Sequence, residues 1–166
     1  MNEEKRLKSV TTDGRPPAPG FENASAPQPI GSNGQHGAYW VLSEEERSKG
    51  FVRPVRHAYR HVGLAAPQYP LRDLTAEEAE RYEPYGYVKF EEYPESESSL
   101  VGIYWTQKRL DLISGGCGTV TTMGPALCET YARDPSYYGS TFCCACGAHF
   151  PVGEFRWTAD DSVVGT

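Results

Sequence analysis

A chain of 166 residues with a formal net charge of -6, of which 39% are hydrophobic and 23% charged, predicts one domain with a tail. The apolar share lies below the roughly 45–50% of an average globular chain, so part of it is expected outside any core. The negative charge disfavours long-range attraction to polyanions, no apolar run nears the ~18 residues of a bilayer span, and residues 1–8 lack the apolar stretch of a secretory leader; a cytoplasmic protein with no membrane role is expected.

Residues 1–37 carry five prolines, five glycines and few large apolar side chains. Such a stretch buries too little area to offset its ordering entropy, which predicts a flexible, disordered arm, either idle or ordering on a partner. The body, residues 38–166, starts near Ala38-Tyr39-Trp40-Val41-Leu42. Ser43 ahead of Glu44, Glu45 and Glu46 predicts a short helix, with a hydroxyl cap and acids against the positive dipole end, stopped at Gly50. Residues 51–63 read equally as an extended strand or as a short helix with Pro54 in its first turn. Thr75 with Glu78 makes a capping box for a helix over 76–83. Aromatic and β-branched runs predict strands at 85–90 and 100–105, separated by an acidic loop. Thr106 caps a helix through Leu112, residues 118–123 are β-like, Pro125 opens a helix ending at Arg133, and 154–157 make a last strand. The sum is an α+β fold: a small, zinc-ribbon-like antiparallel β core with short helices.

Five cysteines, an odd number, in a chain expected to stay in a reducing compartment argue for metal or free thiols rather than a disulfide framework. Cys143-Cys144-Ala145-Cys146-Gly147 has the form of a zinc knuckle: two thiolates two residues apart bind one tetrahedral ion, and the following glycine supplies positive φ. Cys144 could replace Cys143, but a single intervening residue gives a poor bite. Ser114-Gly115-Gly116-Cys117-Gly118 has the form of a second turn, with Ser114 where its first cysteine would stand. Cys117 is therefore the third ligand, and the fourth must be distant. His61 is the first choice, completing Cys₃His coordination of a structural Zn²⁺; His149 is the runner-up, close enough to Cys146 to strain. Cys128, mid-helix, is expected to be a buried thiol. Tyr137, Tyr138, Phe142, Phe150, Phe155 and Trp157 are expected to pack around the site.

The runs Cys117–Met123, Glu129–Pro135, Tyr138–Cys143 and His149–Trp157, with Val52-Arg53-Pro54-Val55-Arg56, resemble small uncharacterised proteins encoded by bacteriophages and prophages. The similarity spans residues 50–166. It implies a phage setting, with the product acting in the cytoplasm of an infected bacterium or inside a virion, and it brings no activity with it.

Enzyme signatures are sparse. No His-x-Glu element or Pro-Cys-x-x-Cys element of a zinc deaminase occurs, nor a phosphate-binding Gly-x-x-x-x-Gly-Lys loop, nor a nucleophile elbow. Glu154 could serve as the base of a hydrolytic zinc site, though nothing in the sequence singles it out. The expected function is a non-enzymatic, zinc-stabilised protein of interaction or assembly, including a virion component, with a protein partner or self-assembly and no small-molecule substrate. A nucleic-acid-binding accessory factor, using Arg53, Arg56 and Arg60 within the basic segment 47–61, is the alternative, and a metal-dependent hydrolase or nuclease the second.

Overall fold

Ser43, Thr75 and Thr106 each begin a helix by accepting a hydrogen bond from the backbone N–H three residues on, at Glu46, Glu78 and Arg109. In the computed structural model, which describes residues 2–97 and 99–166, these are α2 (Glu44–Ser48), α3 (Ala76–Tyr82) and α4 (Gln107–Asp111). Pro125 opens α5 (Pro125–Arg133) as expected. The chain is mixed α+β with antiparallel sheets and few, short helices. Among the described residues no helix is long and apolar enough to cross a membrane. Two units share the chain: residues up to His61 together with Cys117–Thr166, and an insert, Val62–Gly116.

The first unit contains the segment expected as a flexible arm, and residues 2–37 depart from that expectation. Asn2 caps α1 (Glu3–Leu7), and β1 (Ser9–Thr11) pairs antiparallel with β2 (Trp40–Leu42) in the register Val10 to Val41. Lys5 Nζ donates to the carbonyls of Ser136 and Tyr137. Trp40 Nε1 donates to Ala24 O, and Ala26 and Pro27 are buried. Composition misleads here because the stretch has no core of its own; it borrows one from Trp40, Leu42 and Tyr137.

The ambiguous run at 51–63 becomes a strand in its second half. β3 (Ala58–His61) is the middle strand of a sheet ordered β10–β3–β7, with β7 at Val120–Thr122 and β10 at Phe155–Trp157. Its alternation turns Tyr59 and His61 inward and Arg60 outward. The knuckle lies in a hairpin of β8 (Ser140–Cys143) and β9 (Ala148–Pro151). Tyr59, Tyr131, Cys143, Phe155, Trp157 and Val164 form the core beneath, with Tyr138 and Phe150 partly buried against it. The buried Thr130 hydroxyl accepts from Leu42 N and donates to Ala126 O, tying α5 to β2.

The insert is a three-stranded meander of β4 (Leu71–Asp73), β5 (Tyr87–Glu92) and β6 (Gly102–Thr106). Arg72 lies over the Phe90 ring and grips Glu78 of α3 through two hydrogen bonds. Glu91, fully inside, is satisfied by the N–H groups of Gln68 and Tyr69 and by Trp105 Nε1. Leu64 pairs with Ile113, so the insert brings its own ends together.

Candidate metal centre

His61 ends β3, directly opposite Phe155 of β10. The first unit resumes at Cys117, and the backbone at once pairs back onto His61: Gly118 N donates to His61 O at 2.8 Å and His61 N to Thr119 O at 3.2 Å. Gly118 adopts φ +74°, open to glycine at no steric cost, and this turn sets Cys117 beside the histidine. On the other side, Cys143 closes β8, and the turn returns to it through Gly147 N to Cys143 O at 2.9 Å, with Gly147 at φ +64°.

These two turns bring His61, Cys117, Cys143 and Cys146 together, with all four ligand atoms within 4.8 Å of one another. Cys117 Sγ lies 3.4 Å from Cys143 Sγ, and Cys146 Sγ lies 3.5 Å from His61 Nδ1. Zinc–sulfur bonds of ~2.3 Å and zinc–nitrogen bonds of ~2.0–2.1 Å at tetrahedral angles imply edges of about 3.6–3.8 Å. The two measured edges fall within a few tenths of an ångström of that, so the donor set fits a tetrahedral metal ion.

The imidazole is fixed on every side. Its ring lies between Phe150 and Phe155, at centroid distances of 4.5 and 4.7 Å. Nδ1 faces the sulfurs, and Nε2 lies 3.4 Å from Glu154 Oε1, both side chains being only 3% exposed. A carboxylate behind a ligating histidine selects the tautomer and orients the ring. Glu154 ends the 3-10 turn Val152–Glu154 that precedes β10, so it arrives from the strand that pairs with His61. The sequence offered it only as a possible base; here its carboxylate is turned to His61. One signal was readable: an acid wedged between apolar Val152 and Phe155 at the start of a buried strand.

Sulfur electrostatics also favour a cation. Hydrogen bonds from the Thr119 backbone and hydroxyl hold the Cys117 thiol down, to about 6. Desolvation, and then Cys117 and Cys143, push the Cys146 thiol up to about 12. A thiol held up as Cys146 is favours its charged form only where a positive ion compensates it.

The other candidates lie elsewhere. His149 faces Phe142 across the hairpin, whereas Cys143 faces Ala148, so strand alternation turns His149 away from the sulfurs. Its Nε2 meets the Tyr39 hydroxyl at 2.9 Å, its ring packs on His36, and burial with His36 lowers its pKa. Cys144 leans toward β7, with its N–H on Thr121 Oγ1 and its Sγ on Val120 O. Cys128 is buried in α5, 3.3 Å from His57 Nδ1, and burial pushes its thiol up to about 11. Ser114 lies in the insert, its N–H bound to Leu64 O.

The basic segment does not present one face. Arg56 is buried, donates to Asp160 Oδ2 at 3.0 Å and Ser162 Oγ at 2.6 Å, and covers the Trp157 ring at 4.7 Å. Its charge braces the C-terminal loop instead of facing solvent. Arg53 lies exposed where its N–H meets Ala132 O, and Arg60 points outward from β3 opposite Arg156. No protein-family model, curated protein or solved structure matches the chain.

Proposed function

We propose that the chain holds one structural zinc ion through His61 Nδ1 and the thiolates of Cys117, Cys143 and Cys146, and acts as a non-enzymatic protein of interaction or assembly. The observation that carries this reading is the closed Cys₃His set with Glu154 buried behind the histidine. Three soft sulfurs and one imidazole at tetrahedral spacing suit zinc over the harder oxygen-seeking cations. Four protein donors fill the tetrahedron, whereas a hydrolytic site keeps a position for water. Glu154, the acid behind the histidine, is turned to His61 and is not aimed at a substrate. A structural zinc contributes on the order of 10 kcal/mol to folding, and here it would join β3, the 117–119 turn and the β8–β9 hairpin.

The resemblance to phage-encoded proteins supports an accessory or virion role in an infected bacterium. The nucleic-acid alternative is weakened by the burial of Arg56.

The test is metal content after purification and dialysis. One zinc per chain is expected, lost in Cys143→Ser, Cys117→Ser and His61→Ala and kept in His149→Ala and Cys144→Ser. A wild-type protein without stoichiometric zinc overturns the metal assignment. Zinc-dependent hydrolysis of nucleic acid or peptide substrates, abolished by chelation while the fold persists, overturns the non-enzymatic one.

A further inference from the structure

A cavity of about 450 Å³ opens in the first unit between the β1–β2 segment, the β7–α5 turn and β8. Its volume lies within the ~300–1,000 Å³ of small-molecule sites. Its lining includes the rings of Tyr39, Tyr59, Tyr131, Tyr138 and Phe142. None of its nineteen lining residues is Asp, Glu, Lys or Arg, although those types make up 23% of the chain. That excludes a charged occupant, whose desolvation would find no counter-charge.

Several phenol groups are already committed. Tyr59 OH donates to Phe142 O, Tyr138 OH to Trp40 O, and Tyr39 OH meets His149. With their hydroxyls held, the half-buried Tyr39 and Tyr138 offer the cavity their rings, while Tyr59, 3% exposed and packed on Phe155 and Trp157, only backs it. Free polar groups stand at the rim: the Thr122 and Ser140 hydroxyls line the cavity and make no hydrogen bond among the described residues. A second cavity of about 340 Å³ shares His36, Tyr39, Tyr138 and Ser140, so there is room beyond the aromatic part for a polar appendage; its charged lining residue, Lys5, is engaged by the carbonyls of Ser136 and Tyr137 and by Asp134. Aromatic walls favour a flat ring, hydroxyls at the edge favour one that carries hydrogen-bonding heteroatoms, and the absence of charge requires it to be neutral.

We infer that this cavity is a binding site for an uncharged, planar heteroaromatic compound of nucleobase or nucleoside type. It needs no contact with the metal centre, and it departs from the expectation that the chain takes no small molecule. The net charge of -6 adds a further bias against a phosphorylated ligand.

The experiment uses the full zinc-loaded chain with adenosine, uridine and AMP, followed by saturation-transfer NMR and calorimetry. Adenosine or uridine is expected to bind, with AMP about tenfold or more weaker than adenosine. Thr122→Trp and Ala126→Trp, which fill the cavity from β7 and from α5, are expected to abolish binding while the melting transition and zinc content stay those of the wild type. The adenosine-to-AMP comparison needs no variant, so it decides even if a filled cavity costs stability. Absence of nucleoside binding, AMP or a short oligonucleotide binding as tightly as adenosine, or binding that survives both fillings would each overturn the assignment.

Discussion

Glu154 offers the sharpest test of the metal centre, because two substitutions separate its charge from its hydrogen bond. Groups behind a ligating histidine typically contribute 10–100-fold to metal affinity, or about 1.4–2.7 kcal/mol. The Nε2–Oε1 distance of 3.4 Å is longer than the ~2.7–3.2 Å of a full hydrogen bond, which points to the lower half of that range for the wild-type contact. Glu154→Gln keeps an acceptor oxygen in place and removes only charge, so zinc affinity should fall about 3–10-fold. Glu154→Ala also leaves Nε2–H without a partner where His61 is 3% exposed, a cost of about 1–3 kcal/mol that by itself is a loss of about 5–150-fold. Competition against a colorimetric chelator at fixed pH reads both constants, with Cys144→Ser as the variant expected to match wild type. If Glu154→Ala binds zinc as tightly as wild type, the carboxylate does not orient the ligand and the reasoning fails.

Four further outcomes follow from named contacts. The Arg72 guanidinium, followed by the Thr75 backbone N–H, holds Glu78 down from 4.5 to about 2. A carboxyl lowered on folding stabilises above its unfolded pKa, so this contribution is present above pH 4.5 and lost between 4.5 and about 2; acid melts of wild type should show an inflection there that Glu78→Gln lacks. Arg56→Ala removes two hydrogen bonds and the cover of Trp157, and should cost about 2–3 kcal/mol in urea denaturation, against less than ~0.5 kcal/mol for exposed Arg60→Ala; equal costs would remove Arg56 from the core. A Cβ on Gly34 would stand 1.7 Å from Gly147 O at a φ of +84°, so Gly34→Ala should destabilise by at least ~1–2 kcal/mol and speed proteolysis of residues 31–37; unchanged proteolysis would refute that contact. Replacing residues 62–116 with two glycines should leave one zinc per chain, because His61 already pairs with Gly118 and Thr119; loss of zinc would assign the insert a part in the site.

The cysteines of the candidate metal site were legible because turn chemistry is local. Cys143 and Cys146 declare themselves by spacing and by the glycine that follows, and Cys117-Gly118 repeats half of that signal. His61 was reached by elimination, and the reason it meets the sulfurs is a strand pairing 58 residues wide in sequence, which periodicity does not encode. Helix starts at Ser43, Thr75 and Thr106 were readable for the same local reason. The N-terminal segment was not: its order comes from Lys5 on Ser136 and Tyr137, and Trp40 on Ala24, contacts made with distant chain. Arg56 misled because a basic run reads as one surface, while β3 alternation and the Asp160–Ser162 loop divide it. Strands β1, β4 and β9 are three or four residues long, too short for alternation to reveal them.

The position of the ligands along the chain explains why a metal would be retained here. His61 and Cys117 bound the insert, so cross-linking them closes a loop of about 55 residues, worth about 4 kcal/mol of chain entropy if that loop were otherwise unstructured. The insert reduces this gain, since Leu64 and Ile113 already bring its ends together. What remains is the coupling to the knuckle, whose turn closes through Gly147 N to Cys143 O and meets β7 through Cys144 N on Thr121 Oγ1. The β8–β9 hairpin is too short to stand alone, and its sheet has two strands. Zinc would fasten that hairpin to the end of β3, where Phe150 and Phe155 close over His61. A metal held by four protein donors, two of them on exposed cysteines, would keep no coordination position for water, and catalysis would require one donor to leave.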